Sequence, residues 1–148
     1  MYKEKNFSEI QVGDKEWVRR TITEADIINF AGVSGDFNPV HTDEEYAKNT
    51  MFKGRIAHGF FTAAMITNVV GNKLPGPGSV YLKQNLRFIG PVRAGDTITA
   101  TAEVIEKIEE KKRVTLRTTC INQKGELVLD GEALVLILNI NRGAGDNG

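Results

Sequence analysis

The sequence predicts an α+β domain in which an antiparallel sheet wraps one buried central helix. The helix is expected within residues 59–70, where nearly every side chain is apolar or small. This stretch is too short to span a bilayer and is typical of a helix buried in a core. From residue 79 onward, runs of apolar and polar residues are separated by turn residues, which indicates a series of strands.

The first half of the chain predicts one strand and two capped helices. Residues 16–21 are expected to form the strand. Thr23 and Asp26 form a capping signature, followed by apolar residues at helical spacing. The run 42–45 repeats that signature and predicts a short helix through Ala47. The segment between these helices, residues 36–41, is predicted to be a loop.

The second half predicts a meander of four strands. Pro and Gly residues at 75–78 end the central helix. Strands are expected over residues 79–88, 97–108, 113–122 and 127–138, with a charged turn over 107–112 and a second turn at Lys124-Gly125. Such a sheet has edge strands that must be protected, and pairing of edges in a homodimer is one solution.

Composition excludes several functional classes. The chain of 148 residues fits a single domain, expected over residues 1–140, with a polar and flexible tail over residues 141–148. Its 19 basic and 19 acidic side chains argue against a general nucleic-acid binder. The polar start of the chain shows no secretory or membrane signal, so a cytoplasmic protein is expected. No cluster of Cys and His has metal-ligand spacing, and the single Cys120 is expected to be a small buried residue.

The most informative segment is residues 34–41, with sequence SGDFNPVH. Pro39 fixes its own φ and favours an extended Asn38, so Asp36 and His41 can converge on one small volume. A carboxylate beside an imidazole is the minimum equipment for acid–base chemistry near neutral pH. The alternative is an ordinary turn, because Asp and Asn are good turn formers, with His41 on the surface.

The second histidine, His58, precedes Gly59 at the start of the apolar helix. A helix N-terminus carries unpaired N–H groups and partial positive charge, and a glycine there allows close approach. The segment therefore predicts an anion or oxyanion site. We expect His58 to orient this turn through backbone hydrogen bonds, with contact to substrate as the alternative.

The segment 34–41, followed by Ala57-His58-Gly59, resembles the MaoC-like (R)-specific enoyl-CoA hydratase family, also called hydratase 2. The run over residues 74–88 resembles the short single-domain members that supply monomers for polyhydroxyalkanoate synthesis. The resemblance implies a hot-dog fold and a homodimer with its active site at the subunit interface. It also implies that Asp36 and His41 are the catalytic pair, that the Gly59 N–H donates to the thioester carbonyl, and that Asn38 supports the loop.

The implied reaction is reversible hydration of trans-2-enoyl-CoA to (R)-3-hydroxyacyl-CoA. Coenzyme A is then part of the substrate, and no separate cofactor is expected. Phe60, Phe61, Met65, Thr67 and Val70 are candidates for the acyl pocket. Basic residues expected near its mouth could hold the phosphates of coenzyme A: Lys53, Arg55, Lys83, Arg87 and Arg93.

Three other functions remain open on the sequence. A hot-dog thioesterase would direct water to the carbonyl rather than the alkene. A 3-hydroxyacyl-thioester dehydratase would act on carrier-protein substrates. A non-catalytic acyl-CoA-binding module would bind the thioester without turnover.

Overall fold

The computed structural model of the chain describes residues 2–138. The predicted domain end at residue 140 and the predicted tail over residues 141–148 lie outside the described residues. The described part contains helices α1 to α4 and strands β1 to β5, in the order β1 Lys15–Thr21, α1 Glu24–Ser34, α2 Pro39–Thr42, α3 Glu44–Ala47, α4 Gly59–Asn72, β2 Ser79–Phe88, β3 Thr97–Ile108, β4 Arg113–Ile121 and β5 Leu127–Ile137. Short 3-10 turns cover Phe7–Glu9 and Glu109–Lys111.

The five strands form one sheet in the order β1-β3-β4-β5-β2, and every neighbouring pair is antiparallel. The predicted alternation in β3 is confirmed, because Ile98, Ala100, Ala102 and Val104 are all buried. They face the helical layer together with the buried residues of β4 and β5. This arrangement leaves β1 and β2 as the two edges of the sheet.

Helix α4 packs against this inner face of the sheet, as predicted. Its core side buries Met65, Ile66, Val69 and Val70. The prediction of a helix buried on all faces is wrong for one stripe, however, because Phe60, Ala64, Thr67 and Asn68 are exposed. A single sheet covers only one side of a helix, so the opposite side stays open in the isolated chain. Within residues 2–138, no helix is both long and apolar enough to cross a membrane.

Helix α1 begins with the predicted capping box. The Thr23 hydroxyl accepts from the Asp26 N–H, and the Asp26 carboxylate accepts from the Thr23 N–H. Arg20 on β1 also donates to that carboxylate. This hydrogen bond lowers the pKa of Asp26 from 3.8 to about 2, against the opposing effect of burial. The helix ends at Gly35, whose φ of 77° lies in the left-handed region.

The segment after α1 differs from the predicted loop. Residues 36–38 are irregular, as expected, but Pro39–Thr42 forms the helical turn α2, which contains His41. The expectation of a loop through His41 is therefore wrong. Asn38 caps this turn, since its side chain accepts from the Val40 N–H. Pro39 occupies the first turn of the helix, where its missing N–H costs nothing and its fixed φ is already helical.

Candidate active site

His41 is buried, with 8% of its surface exposed. Its Nδ1 lies 2.8 Å from the Ile56 carbonyl oxygen. A carbonyl only accepts hydrogen bonds, so Nδ1 carries the ring proton and the neutral ring has its lone pair on Nε2. That Nε2 lies 3.8 Å from Oδ2 of Asp36. The prediction that the Asp36 and His41 side chains lie close together is therefore confirmed.

The Asp36 carboxylate is held from one side and open on the other. Its Oδ1 accepts from the Asn38 N–H at 3.1 Å, which forms a local turn. The Ser34 hydroxyl, itself bonded to the Phe30 carbonyl, accepts from the Asp36 N–H. The side chain is still 50% exposed. A water lying to one side of the 3.8 Å gap could contact both Oδ2 and His41 Nε2 at ordinary hydrogen-bond distance.

His58 joins this pair to the start of α4. Its Nε2 lies 2.9 Å from the Asp36 carbonyl oxygen. Its ring stacks on the His41 ring, with centroids 3.8 Å apart and planes 27° apart. Because His58 is the residue directly before α4, these contacts place the acid–base pair beside the N-terminus of the central helix.

The N-terminus of α4 is uncapped. The His58 side chain makes no capping bond, and among residues 2–138 no acceptor is found for the Gly59 N–H. Gly59 is exposed, so a ligand can reach this N–H. A Cβ on Gly59 would lie 2.6 Å from the Phe88 ring, closer than side chains pack. Glycine therefore lets the first turn of α4 lie directly against β2.

An apolar cavity of about 390 Å³ opens beside Gly59. It lies between the segment before α4, the first turn of α4 and the ends of β2 and β5. Its walls are formed by Met51, Phe52, Ile56, Ala57, Gly59, Phe60, Thr62, Phe88, Ile89, Gly90, Pro91, Val92, Val128 and Leu129. The arrangement combines a free backbone donor, an acid–base pair and an apolar chamber at one helix end.

Comparison with known proteins assigns the family, because residues 8–124 match the model of the MaoC like domain. The chain belongs to the MaoC-like domain family. The (R)-specific enoyl-CoA hydratase of Rhodospirillum rubrum is 50% identical over 131 residues, which cover 88% of this chain and 90% of that protein.

Solved structures of related proteins have the same fold. R-hydratase PhaJ1 from Pseudomonas aeruginosa matches with a TM-score of 0.84 and 46% identity, covering 89% of this chain and 84% of that one. The (R)-hydratase from A. caviae involved in PHA biosynthesis matches with a TM-score of 0.83 and 40% identity, covering 86% of this chain and 97% of that one. The predicted MaoC-like hot-dog fold is thereby confirmed.

The three side chains of this candidate site could also be considered as metal ligands. One ligand atom from each of Asp36, His41 and His58 lies within 4.8 Å of the others. Nε2 of His58 and Nδ1 of His41 each face a backbone carbonyl and carry a proton, so the lone pair of each neutral ring lies on its other nitrogen. The lone pair of His41 Nε2 lies 3.8 Å from Asp36 Oδ2, an arrangement that suits proton transfer.

The predicted acyl-pocket residues separate into two groups. Phe60 borders the cavity, with 65% of its surface exposed. Thr67 is exposed on the open side of α4, Val70 is buried against the sheet, and neither borders the cavity. Contact of Thr67 and Val70 with an acyl chain stays a prediction.

Two of the five basic residues considered for coenzyme A make internal contacts. Arg55 pairs with Glu24 and Glu44, and the hydrogen bond with Glu24 raises its pKa. Arg93 donates to the carbonyl oxygens of Phe52 and Arg55, which ties down the segment before α4. These arginines thus have a structural use, whereas no hydrogen bond or ion pair of the Lys53, Lys83 or Arg87 side chain is found within residues 2–138.

Cys120 is not a candidate nucleophile. It is fully buried on β4 and lies 3.8 Å from the Thr62 carbonyl oxygen. Burial raises the pKa of its thiol to about 12, so the reactive thiolate is disfavoured. The sequence-based interpretation of a small buried residue is confirmed.

Sequence reasoning missed two parts of the site. The Ile56 carbonyl selects the His41 tautomer, and a backbone carbonyl has no signature in the sequence. Phe88 belongs to the run that resembles the family, but nothing in the sequence assigns it to the site, although its ring packs on Gly59 and borders the cavity. The sequence signal for this close contact is Gly59 itself, because a residue without a Cβ allows another group to approach its backbone.

Proposed function

We propose that this chain is an (R)-specific enoyl-CoA hydratase, a hydro-lyase that reversibly adds water to trans-2-enoyl-CoA and gives (R)-3-hydroxyacyl-CoA. The observation that carries the proposal is the 3.8 Å approach of Asp36 Oδ2 to His41 Nε2 beside the uncapped N-terminus of α4. The names of the R. rubrum, P. aeruginosa and A. caviae relatives support it.

The Gly59 N–H would hold the thioester oxygen. The alkene of an enoyl thioester accepts a nucleophile at C3 only when its conjugated carbonyl draws electrons, which places enolate-like charge on that oxygen. A free N–H at the positive end of α4 is oriented to stabilise this charge. Removal of one such donor in other enzymes raises the barrier by about 2.7–4 kcal/mol.

Asp36 and His41 would hold and activate the water. In the tautomer that the Ile56 carbonyl selects, both Oδ2 and Nε2 are acceptors, so each can take one hydrogen of the same water. The lone pairs of the water oxygen are then free, and one of them attacks C3. As the C3–O bond forms, one proton passes to the pair, with Asp36 as the base that we favour. The pair then returns this proton to C2, which completes the addition.

We also propose that two copies of the chain complete the site. Edge strand β2 exposes Val80, Leu82 and Phe88, and such an edge invites pairing with another strand. The open stripe of α4 is also exposed, as is Phe37, the residue directly after Asp36. A second copy paired through β2 would cover these apolar surfaces and exclude bulk water.

The dimer is tested by sedimentation of the wild type and a Leu82→Glu variant. The wild type is expected at about twice the 16.3 kDa chain mass. A charge on the β2 edge is expected to shift the variant toward the monomer. A monomeric wild type at micromolar concentration would refute this part of the proposal.

Hydration of crotonyl-CoA tests the function directly. Loss of enoyl absorbance is expected, and an (S)-specific 3-hydroxyacyl-CoA dehydrogenase should leave the product unoxidised. Release of free thiol would indicate a thioesterase, and saturable binding without loss of absorbance would indicate a binding module. Faster turnover of carrier-protein thioesters than of CoA thioesters would favour the dehydratase. A single domain over residues 1–140, a cytoplasmic location and the absence of a separate cofactor stay predictions.

A further inference from the structure

We propose that His58 is a positioning residue, which holds the Asp36 peptide, the His41 ring and the first turn of α4 in one arrangement. The inference rests on the proposed hydratase function and deepens it. It assigns His58 no contact with substrate and no proton transfer.

The first contact of His58 fixes the backbone at Asp36. Its Nε2–H donates to the Asp36 carbonyl oxygen at 2.9 Å, across 22 residues of sequence. The Asp36 carboxylate is half exposed, and its only hydrogen bond found within residues 2–138 comes from the nearby Asn38 N–H. The bond from His58 therefore supplies the long-range tie that sets where this carboxylate stands relative to α4.

The second contact fixes the plane of the His41 ring. The two imidazoles stack with centroids 3.8 Å apart, and Phe30 also packs against His58, with centroids 4.9 Å apart in an edge arrangement. The His41 ring is thus held by the stack and by the Nδ1 bond to the Ile56 carbonyl. Both restraints direct Nε2 toward Asp36.

The chemistry of the His58 side chain fits this double role. It is 2% exposed, and its Nδ1 has no hydrogen-bond partner among the described residues. A buried ring with one unpaired nitrogen is a costly way to fill space, and a phenyl ring would fill it without that cost. An imidazole offers both a flat ring for the stack and an N–H for the Asp36 carbonyl, in a smaller side chain than an indole.

Two variants separate these contributions. His58→Phe keeps a ring and removes the donor, whereas His58→Gln keeps an N–H at about the same reach and removes the ring. We expect kcat for crotonyl-CoA hydration to fall about 10²-fold in His58→Phe, because misplacement by about 1 Å has that effect. The fall should be about ten-fold in His58→Gln, with KM within about three-fold of wild type in both. A higher KM with unchanged kcat would instead indicate substrate binding and overturn the proposal.

A core variant controls for general loss of stability. Val114→Ala shortens a buried side chain on β4 six residues before Cys120, which lies beside Thr62 in the first turn of α4, and so about 20 Å along the strand from that contact. It should unfold more readily while keeping the wild-type kcat. If the His58 variants lose activity only in proportion to their loss of folded protein, the positioning role is refuted.

A second readout does not depend on turnover. The chain has only two histidines, so ring ¹⁵N spectra above the usual titration range of histidine are readily assigned. The structure requires an Nδ1–H tautomer for His41 and an Nε2–H tautomer for His58. In His58→Phe, the His41 ring should keep its Nδ1–H tautomer, because the Ile56 carbonyl is still present, but the ¹⁵N shift of its Nε2 should change as Asp36 moves relative to it. An unchanged His41 spectrum would overturn the proposal even if the wild type proved inactive on enoyl-CoA, whereas an inactive wild type alone would refute only the proposed function.

Discussion

Helices α1 and α4 begin in opposite ways. At α1, Thr23 and Asp26 pair reciprocally with the free N–H groups, and Arg20 neutralises the carboxylate. At α4, the residue before the helix makes no capping bond, and the Gly59 N–H is left exposed. The first helix start uses its donors for stability, whereas the second keeps a donor available for a ligand. At the start of α4, the fold therefore gives up the stability that a cap would contribute and keeps the Gly59 N–H exposed.

The largest expected effect comes from the acid–base pair beside α4. Asp36→Asn and His41→Ala should each lower kcat for crotonyl-CoA hydration by about 10²–10⁴-fold, because each removes one acceptor of the attacking water. The double variant should be little slower than the slower single variant, since the two groups act as a unit. Steady-state kinetics at equal concentrations of folded protein measure these effects. Turnover close to that of the wild type in either single variant would refute the assignment of Asp36 and His41 as the acid–base pair.

The next effect tests the glycine at the start of α4. Gly59→Ala places a Cβ against Phe88 and should displace the donor, with a loss in kcat of about 10²–10³-fold. Adding Phe88→Ala removes the steric conflict and should recover at least about ten-fold. Gly32→Ala is the matched control on α1, because a Cβ there meets nothing within 4 Å. Equal losses in Gly59→Ala and Gly32→Ala would contradict a special role for the α4 terminus.

A smaller effect is expected at the capped helix, and on stability rather than rate. The folded pKa of Asp26 is lowered from 3.8 to about 2, so its stabilisation is full above the unfolded pKa and is lost as pH falls through the window between these values. Asp26→Asn should lower the free energy of unfolding by about 1–2 kcal/mol at pH 7, after allowance for screening at the half-exposed Arg20.

Urea unfolding at neutral pH and within the acid window measures this difference. The gap between wild type and Asp26→Asn should narrow as the carboxyl becomes protonated. A gap that is constant with pH would show that the ion pair contributes nothing. The kcat of the variant should stay within about two-fold of wild type, because the Asp26 side chain bonds only to Arg20 and Thr23 among the described residues and contacts no group of the proposed site.

The smallest effect concerns the cap hydroxyl of α1. Thr23→Ala should lower the free energy of unfolding by about 1 kcal/mol. Thr23→Ser keeps the acceptor and should lose far less, which makes it the matched control. Thermal unfolding of the three proteins at one concentration makes the comparison. If Thr23→Ala also lowered the kcat of the fully folded protein, the two helix starts would not be independent.

The two helix starts also differ in how well sequence predicts them. The Thr23 box is local, and its residues identify it without any tertiary knowledge. The convergence of Asp36 and His41 was also predictable, because proline and asparagine restrict the segment between them. The helical turn at His41 was not predicted, since the fixed φ of Pro39 suits a first helical turn as well as a loop.

The missing parts depend on long-range packing. The tautomer of His41 is set by a carbonyl 15 residues away, and the need for glycine at 59 is set by Phe88 on an edge strand. The exposed stripe of α4 follows from the width of one sheet, which no periodicity within the helix encodes. For that reason the apolar sequence of α4 predicted burial on every side, although one side is open.

The Gly59 N–H is proposed to donate a hydrogen bond to the thioester oxygen, and the rest of the proposed mechanism depends on this bond. Glycine-specific ¹⁵N labelling makes this measurable, since the chain has 15 glycines. Crotonyl-CoA added to the Asp36→Asn variant should shift the Gly59 amide proton strongly downfield and leave the Gly32 amide unchanged. If saturating crotonyl-CoA left the chemical shift of the Gly59 amide proton unchanged, this hydrogen bond to the thioester oxygen would be refuted.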